Sequence, residues 1–119
     1  MYDHIGLKVN DLAASRRFYE AALAPLGHVA ASHDDTCAGL GPAGAPALWL
    51  YAAKGSQGAG THVGFRAKDH QAVQAFYQAG LKAGGNSNGE PGPRADYSPT
   101  YCAAFLIDPD GNNVEAVCP

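Results

Sequence analysis

Charge is scarce in this sequence, and what there is does not cluster. Lys and Arg number 8 against 11 Asp and Glu, and the formal net charge is −3. A nucleic-acid backbone calls for a dense basic face, so that class of partner is not expected. Long apolar runs are missing too. No stretch approaches the roughly 20 residues that a membrane-spanning helix needs, and Met1 leads straight into a strand-like segment rather than a leader peptide. A cytoplasmic protein is the expectation. Cysteine is sparse: Cys37, Cys102 and Cys118 are odd in number and far apart in sequence, without a Cys-x-x-Cys pair. Neither a disulfide framework nor a thiolate zinc site is indicated, and all three are read as buried or reduced thiols.

What is present is a globular, turn-rich composition, with 46% apolar residues, 15 Gly and 8 Pro in 119 residues. A chain of this length buries a core without help from disulfides or a structural metal. Any metal it holds would therefore serve function.

The strongest feature is an internal repeat. Residues 4–27, HIGLKVNDLAASRRFYEAALAPLG, align without a gap on residues 62–85, HVGFRAKDHQAVQAFYQAGLKAGG. Identities fall at His4/His62, Gly6/Gly64, Asp11/Asp69, Phe18/Phe76, Tyr19/Tyr77, Leu23/Leu81 and Gly27/Gly85, among others. Such density marks a tandem duplication. Each copy opens on an alternating run, Ile5 to Val9 or Val63 to Ala67, which reads as a strand. The period then changes to helical behind Asp11 and Asp69, both natural N-caps, and Pro25 and Gly84-Gly85 close the helices. Phe18, Tyr19, Phe76 and Tyr77 are read as packing between helix and sheet.

Short strand-like runs follow each helix. They are His28 to His33, Thr36 to Leu40 and Pro46 to Ala53 in the first copy. In the second they are a weak one near Asn86, then Tyr101 to Ile107 and Asn112 to Cys118. Asp108-Pro109-Asp110-Gly111 suits a type I turn, so the last two should form a hairpin. Lys54 to Gly60 looks like a linker, and Gly89 to Thr100 like a long loop. The expectation is one α+β domain, residues 1–119, built from two tandem βαβββ units of about 1–56 and 60–119.

Because His4 and His62 open equivalent strands, a pseudo-twofold pairing of the units would bring both rings into one cleft. Glu115 is a carboxylate on an otherwise apolar final strand, a costly placement unless the charge is paired or binds a cation. Two imidazoles and a carboxylate suit Zn, Mn, Ni, Co or Fe(II) and leave positions open for water or substrate. The competing reading pairs Glu115 with a buried Arg or His and assigns both histidines to packing.

The repeat, the openings Asp3-His4-Ile5-Gly6-Leu7 and Thr61-His62-Val63-Gly64-Phe65, and the ending Asp108-Pro109-Asp110-Gly111-Asn112-Asn113-Val114-Glu115 resemble the vicinal oxygen chelate superfamily. That group includes glyoxalase I, extradiol dioxygenases, fosfomycin-resistance thiol transferases and bleomycin-binding proteins. The resemblance implies two cupped mixed sheets around a cavity, a small-molecule substrate, and a homodimer in which a site can span subunits. It also implies metal ligands on the first and last strands of the units, which His4, His62 and Glu115 match on three of the four. The fourth place falls at Leu48 or Trp49, where glyoxalase I would carry a carboxylate. That departure speaks against lactoylglutathione lyase activity and leaves Glu115 as the catalytic proton carrier of a lyase, thiol-transfer or dioxygenase type of enzyme. The alternative it implies is a metal-free binding protein of the bleomycin-resistance type. Trp49, Tyr51, Arg94, Tyr97 and Tyr101 are the expected substrate-binding residues around the cavity.

Overall fold

The computed structural model describes residues 1–119, with the side chain of Ser32 left aside. The first unit runs β1 (Ile5–Val9), α1 (Leu12–Leu23), a short 3₁₀ turn (Ala24–Leu26), β2 (Val29–His33), β3 (Cys37–Gly41) and β4 (Leu48–Ala52). The second runs β5 (His62–Arg66), α2 (His70–Lys82), β6 (Asn86–Pro93), β7 (Cys102–Ile107) and β8 (Asn113–Cys118). Each unit is one four-stranded sheet, ordered β1-β4-β3-β2 or β5-β8-β7-β6. The first and last strands of each unit pair in parallel, and the other neighbours are antiparallel. The expected pair of βαβββ units is therefore the architecture of the chain.

Local chemistry explains the element boundaries. Asp11 accepts a hydrogen bond from the Ala14 amide at 3.0 Å, and Asp69 accepts one from Ala72 at 2.8 Å, so both helices start where a side chain satisfies a free N–H. Gly27 and Gly84 take φ values of +90° and +103° just past the helices, a region that glycine enters without strain. One expectation needs correcting. The weak strand near Asn86 is eight residues long and takes in Gly89 to Pro93, the start of the supposed loop. Glycine and proline argue against a strand, but β6 is an edge strand whose register against β7 shifts around Gly89, and edges with bulges tolerate both residues.

Both helices lie on one side of the sheets. Phe18, Tyr19 and Phe76 are fully buried and Tyr77 nearly so, joined by Leu40, Leu50, Leu106 and Val114 from the strands. The helices also pack on each other at Gly80, where an added Cβ would lie 2.3 Å from Leu106 Cδ1 and 3.3 Å from a Phe18 ring carbon. Polar groups complete the junction. The β7–β8 turn closes with Gly111 N–H donating to the Asp108 carbonyl at 3.0 Å, as the sequence predicts. The Asp108 side chain, 2% exposed, accepts from the Tyr19 hydroxyl on α1, from Asp110 N and from both Asn112 N and Nδ2. Asp110 in turn accepts from Asn10 N at 2.9 Å and Ser15 Oγ at 3.0 Å. A hairpin tip of the second unit is thus hydrogen-bonded to the first.

All three cysteines are free. Cys102 and Cys118, distant in sequence, are direct cross-strand partners on β7 and β8. Among the described residues no helix is long and apolar enough to cross a membrane.

Candidate metal and ligand site

Parallel pairing of β5 with β8 sets His62 beside Asn113 and Gly64 beside Glu115. Alternation along β8 turns Val114 and Ala116 into the core beneath α2 and leaves Asn113 and Glu115 together on the opposite face. Glu115 is only 5% exposed. Both of its carboxylate oxygens are engaged: Oε2 lies 3.0 Å from His62 Nε2, and Oε1 accepts from the Tyr101 hydroxyl at 2.6 Å. Gly64 leaves space beside the acid, since a Cβ there would lie 3.7 Å from Oε2.

Aromatic rings wall this pair. Phe105 stacks near His62, with centroids 6.3 Å apart, and Tyr97 meets Tyr101 edge-on at 5.0 Å. Arg94 lies over the outer face of Phe105 at 5.4 Å, and its guanidinium donates to the carbonyls of Glu90, Gly92 and Pro93. The resulting cavity, about 350 Å³, is lined by His62, Tyr97, Tyr101, Phe105, Asn113 and Glu115.

Of the residues expected from sequence, His62, Glu115, Tyr97 and Tyr101 are brought together, with Arg94 at the border. His4 is not in that group. Its Nδ1 lies 2.6 Å from its neighbour Asp3, and it faces a second cleft, about 780 Å³, between β1 and β5, whose far wall includes His62. Among the described residues no three His, Cys, Asp or Glu side chains gather closely enough to hold a metal ion. Trp49 and Tyr51 also stay in the first unit, the Trp49 ring packed over Gly39 and the Tyr51 ring over Gly6.

Comparison with known proteins identifies the family and the fold. The family model described as Glyoxalase/Bleomycin resistance protein/Dioxygenase superfamily matches residues 2–116. A glyoxalase/bleomycin resistance protein from Albidiferax ferrireducens is 30% identical, with a TM-score of 0.85 and 98% of each chain covered. The chain belongs to this superfamily. A glyoxalase/bleomycin resistance protein/dioxygenase family enzyme from Burkholderia phytofirmans shares the fold at 16% identity and a TM-score of 0.74, covering 97% of this chain and 95% of that one. A glyoxalase I variant from Zea mays is 28% identical with a TM-score of 0.73, covering 96% of this chain and 44% of the other. No curated protein matches the chain.

Strand register relates the two units of this member of the glyoxalase and bleomycin-resistance superfamily. Gly6 pairs with Trp49 as Gly64 pairs with Glu115, so Trp49, and not Leu48, occupies in unit one the place of Glu115 in unit two. The next strand compensates in volume: Gly39 lies opposite Trp49, where Phe105 lies opposite Glu115. In unit one the large ring stands on the last strand beside a glycine, and in unit two it stands on the neighbouring strand beside the acid.

Phe105 and Asn113 are the cavity residues that the sequence reading did not single out. Asn113 could have been found, because it precedes Glu115 by one strand period. Phe105 could not, since its relation to Glu115 depends on the β7–β8 register.

The Tyr101 phenol is pushed up to about 12, first by its hydrogen bond to Glu115, then by burial and by the negative charge of that acid. Burial and Asp108 raise Tyr19 further. Tyrosinate absorbance should therefore show a late ionisation step that Tyr101→Phe removes. A raised folded-state value means stability that is intact below pH 10, the ordinary tyrosine value, and is lost as pH climbs toward 12. Denaturation across that window should show a shallower decline for Tyr101→Phe than for the wild type.

Proposed function

We propose that this protein is a divalent-metal-dependent enzyme acting on a small substrate that presents adjacent oxygen atoms, at the cavity around His62 and Glu115. The observation that carries the reading is the buried Glu115 carboxylate, held by Tyr101 on one oxygen and facing His62 Nε2 at 3.0 Å from the other. An imidazole nitrogen and a carboxylate oxygen in direct contact are two donors that one cation would share in place of their mutual hydrogen bond, the start of a mixed site for Zn, Mn, Ni, Co or Fe(II). His4 is the proposed further ligand, reached across the β1–β5 cleft within one chain or from a second copy in a homodimer. A bound divalent cation would polarise the substrate oxygens.

The chain's own groups have separable roles in this proposal. Glu115 moves the proton, and Tyr101 orients the acid by donating to Oε1. Tyr97 and Phe105 wall the cavity with aromatic faces, Arg94 braces Phe105, and Trp49 and Tyr51 of the first unit are the proposed further substrate contacts. The reaction type is a lyase, thiol transfer or dioxygenase chemistry; Trp49 in the position equivalent to Glu115 disfavours lactoylglutathione lyase.

That same Trp49 favours a second reading, a metal-free binding protein of the bleomycin-resistance type. Metal content separates the two. Untagged protein purified without chelators should carry a stoichiometric transition metal, or gain thermal stability on addition of Zn, Mn, Ni or Fe(II). Absence of both responses, with small-molecule binding that chelators do not disturb, would establish the second reading instead.

A further inference from the structure

One polar atom of the cavity is left over. Asn113 Oδ1 is buried and has no hydrogen-bond partner. Polar groups of the neighbouring residues are bonded elsewhere. Thr61 N donates to Asn112 Oδ1 and Asn113 N to the Thr61 carbonyl; His62 Nε2 and Tyr101 OH are engaged with Glu115, and the Arg94 guanidinium with three backbone carbonyls. A buried acceptor without a donor destabilises the fold, and folded proteins keep few of them. Its position is not arbitrary. Asn113 is directly beside His62 across the β5–β8 pairing and one period before Glu115 on the same face, and all three line one cavity.

We propose that Asn113 Oδ1 is a cation ligand acting with His62 and Glu115, supplying an oxygen that unit one does not offer, since Trp49 stands in the place equivalent to Glu115. The inference rests on the metal-dependent reading above and adds to it a ligand from within the second unit. A carbonyl oxygen beside a carboxylate and a single imidazole hardens the site, in the direction of Mn(II).

A ligand and a structural residue respond oppositely to loss of the amide. Asn113→Leu removes the unpaired acceptor at similar volume, so the metal-free variant should melt at or above the wild-type temperature. Its affinity for Mn(II) and Zn(II), measured by calorimetry, should fall about tenfold or more. Asn113→Asp, which keeps an oxygen in place, should retain binding; Asn113→Ala serves the same comparison as leucine if the larger side chain prevents folding. Wild-type affinity in both the leucine and alanine variants overturns the proposal, most clearly if His4→Ala abolishes binding, in which case the metal reading stands without Asn113. If the wild-type protein binds neither ion, both the proposal and the reading beneath it fall.

Discussion

Asp108→Ala lowers the stability of this protein by about 3–5 kcal/mol, a fall in Tm of roughly 10–20 °C. The carboxylate accepts four hydrogen bonds in a place where water does not reach. Removing it strands the hydroxyl of fully buried Tyr19 and the side-chain amide of Asn112, itself 2% exposed, and each stranded buried group costs about 1–3 kcal/mol. It also loosens the tip that carries Asp110, whose bonds to Asn10 and Ser15 reach the first unit. Tyr19→Phe is the milder control. It deletes one donor and leaves Asp108 its remaining three, for a loss of about 1–2 kcal/mol. Urea denaturation of the two variants checks the ordering. A loss below about 1 kcal/mol for Asp108→Ala would mean that the network is solvated and that the two units are held by apolar contacts alone.

On the proposed metal-dependent reading, Glu115→Gln lowers affinity for a divalent cation more than about a hundredfold while leaving the fold nearly as stable as before. The amide is isosteric with the acid and can still meet Tyr101 and His62, so the cavity keeps its shape. It no longer carries the charge that a cation needs. Exchanging a buried charge for a neutral group of equal volume is often close to neutral for stability, because the desolvation cost disappears with the charge. A second signal travels with the first. Since the bond to Glu115 and the charge of Glu115 hold the Tyr101 phenol up near 12, Tyr101 should ionise earlier in the variant. Calorimetric titration with Zn(II) or Mn(II), together with tyrosinate absorbance, reads both effects on one sample. Metal affinity within threefold of wild type would remove Glu115 from the ligand set, whatever happened to Tyr101.

The fold was legible because its signals are local and repeated. Asp11 and Asp69 cap the helices that the period behind them announces, and Asp108 to Gly111 turn the chain where their residue types prefer to turn. Strand β6 was half-hidden, because Gly89, Pro91, Gly92 and Pro93 carry no strand propensity; only pairing with β7 makes that segment a strand. Two residues read from the sequence, one acid and one histidine, meet in one cavity. Glu115 stood out as a charge on an apolar strand, and His62 as the first residue of a repeated one. His4 has the same signal as His62 by symmetry and shares the larger cleft with it, but its ring lies against Asp3 and outside the cavity of Glu115, since equivalence between units does not fix the distance to a third residue.

By itself, then, the sequence determined the units: two copies of one strand–helix–strand pattern, the residues that start and stop each element, and the apolar faces that meet beneath the helices. Periodicity, capping and turn preference act over a few residues and are written in the order of the chain. Tertiary structure alone decided that Trp49 replaces Glu115 in register, that Phe105 and an unpartnered Asn113 share the cavity with His62, and that the Asp108 turn clasps Tyr19. Those relations join strands and helices far apart in sequence, where a shift of one residue in pairing would send every side chain to the opposite face.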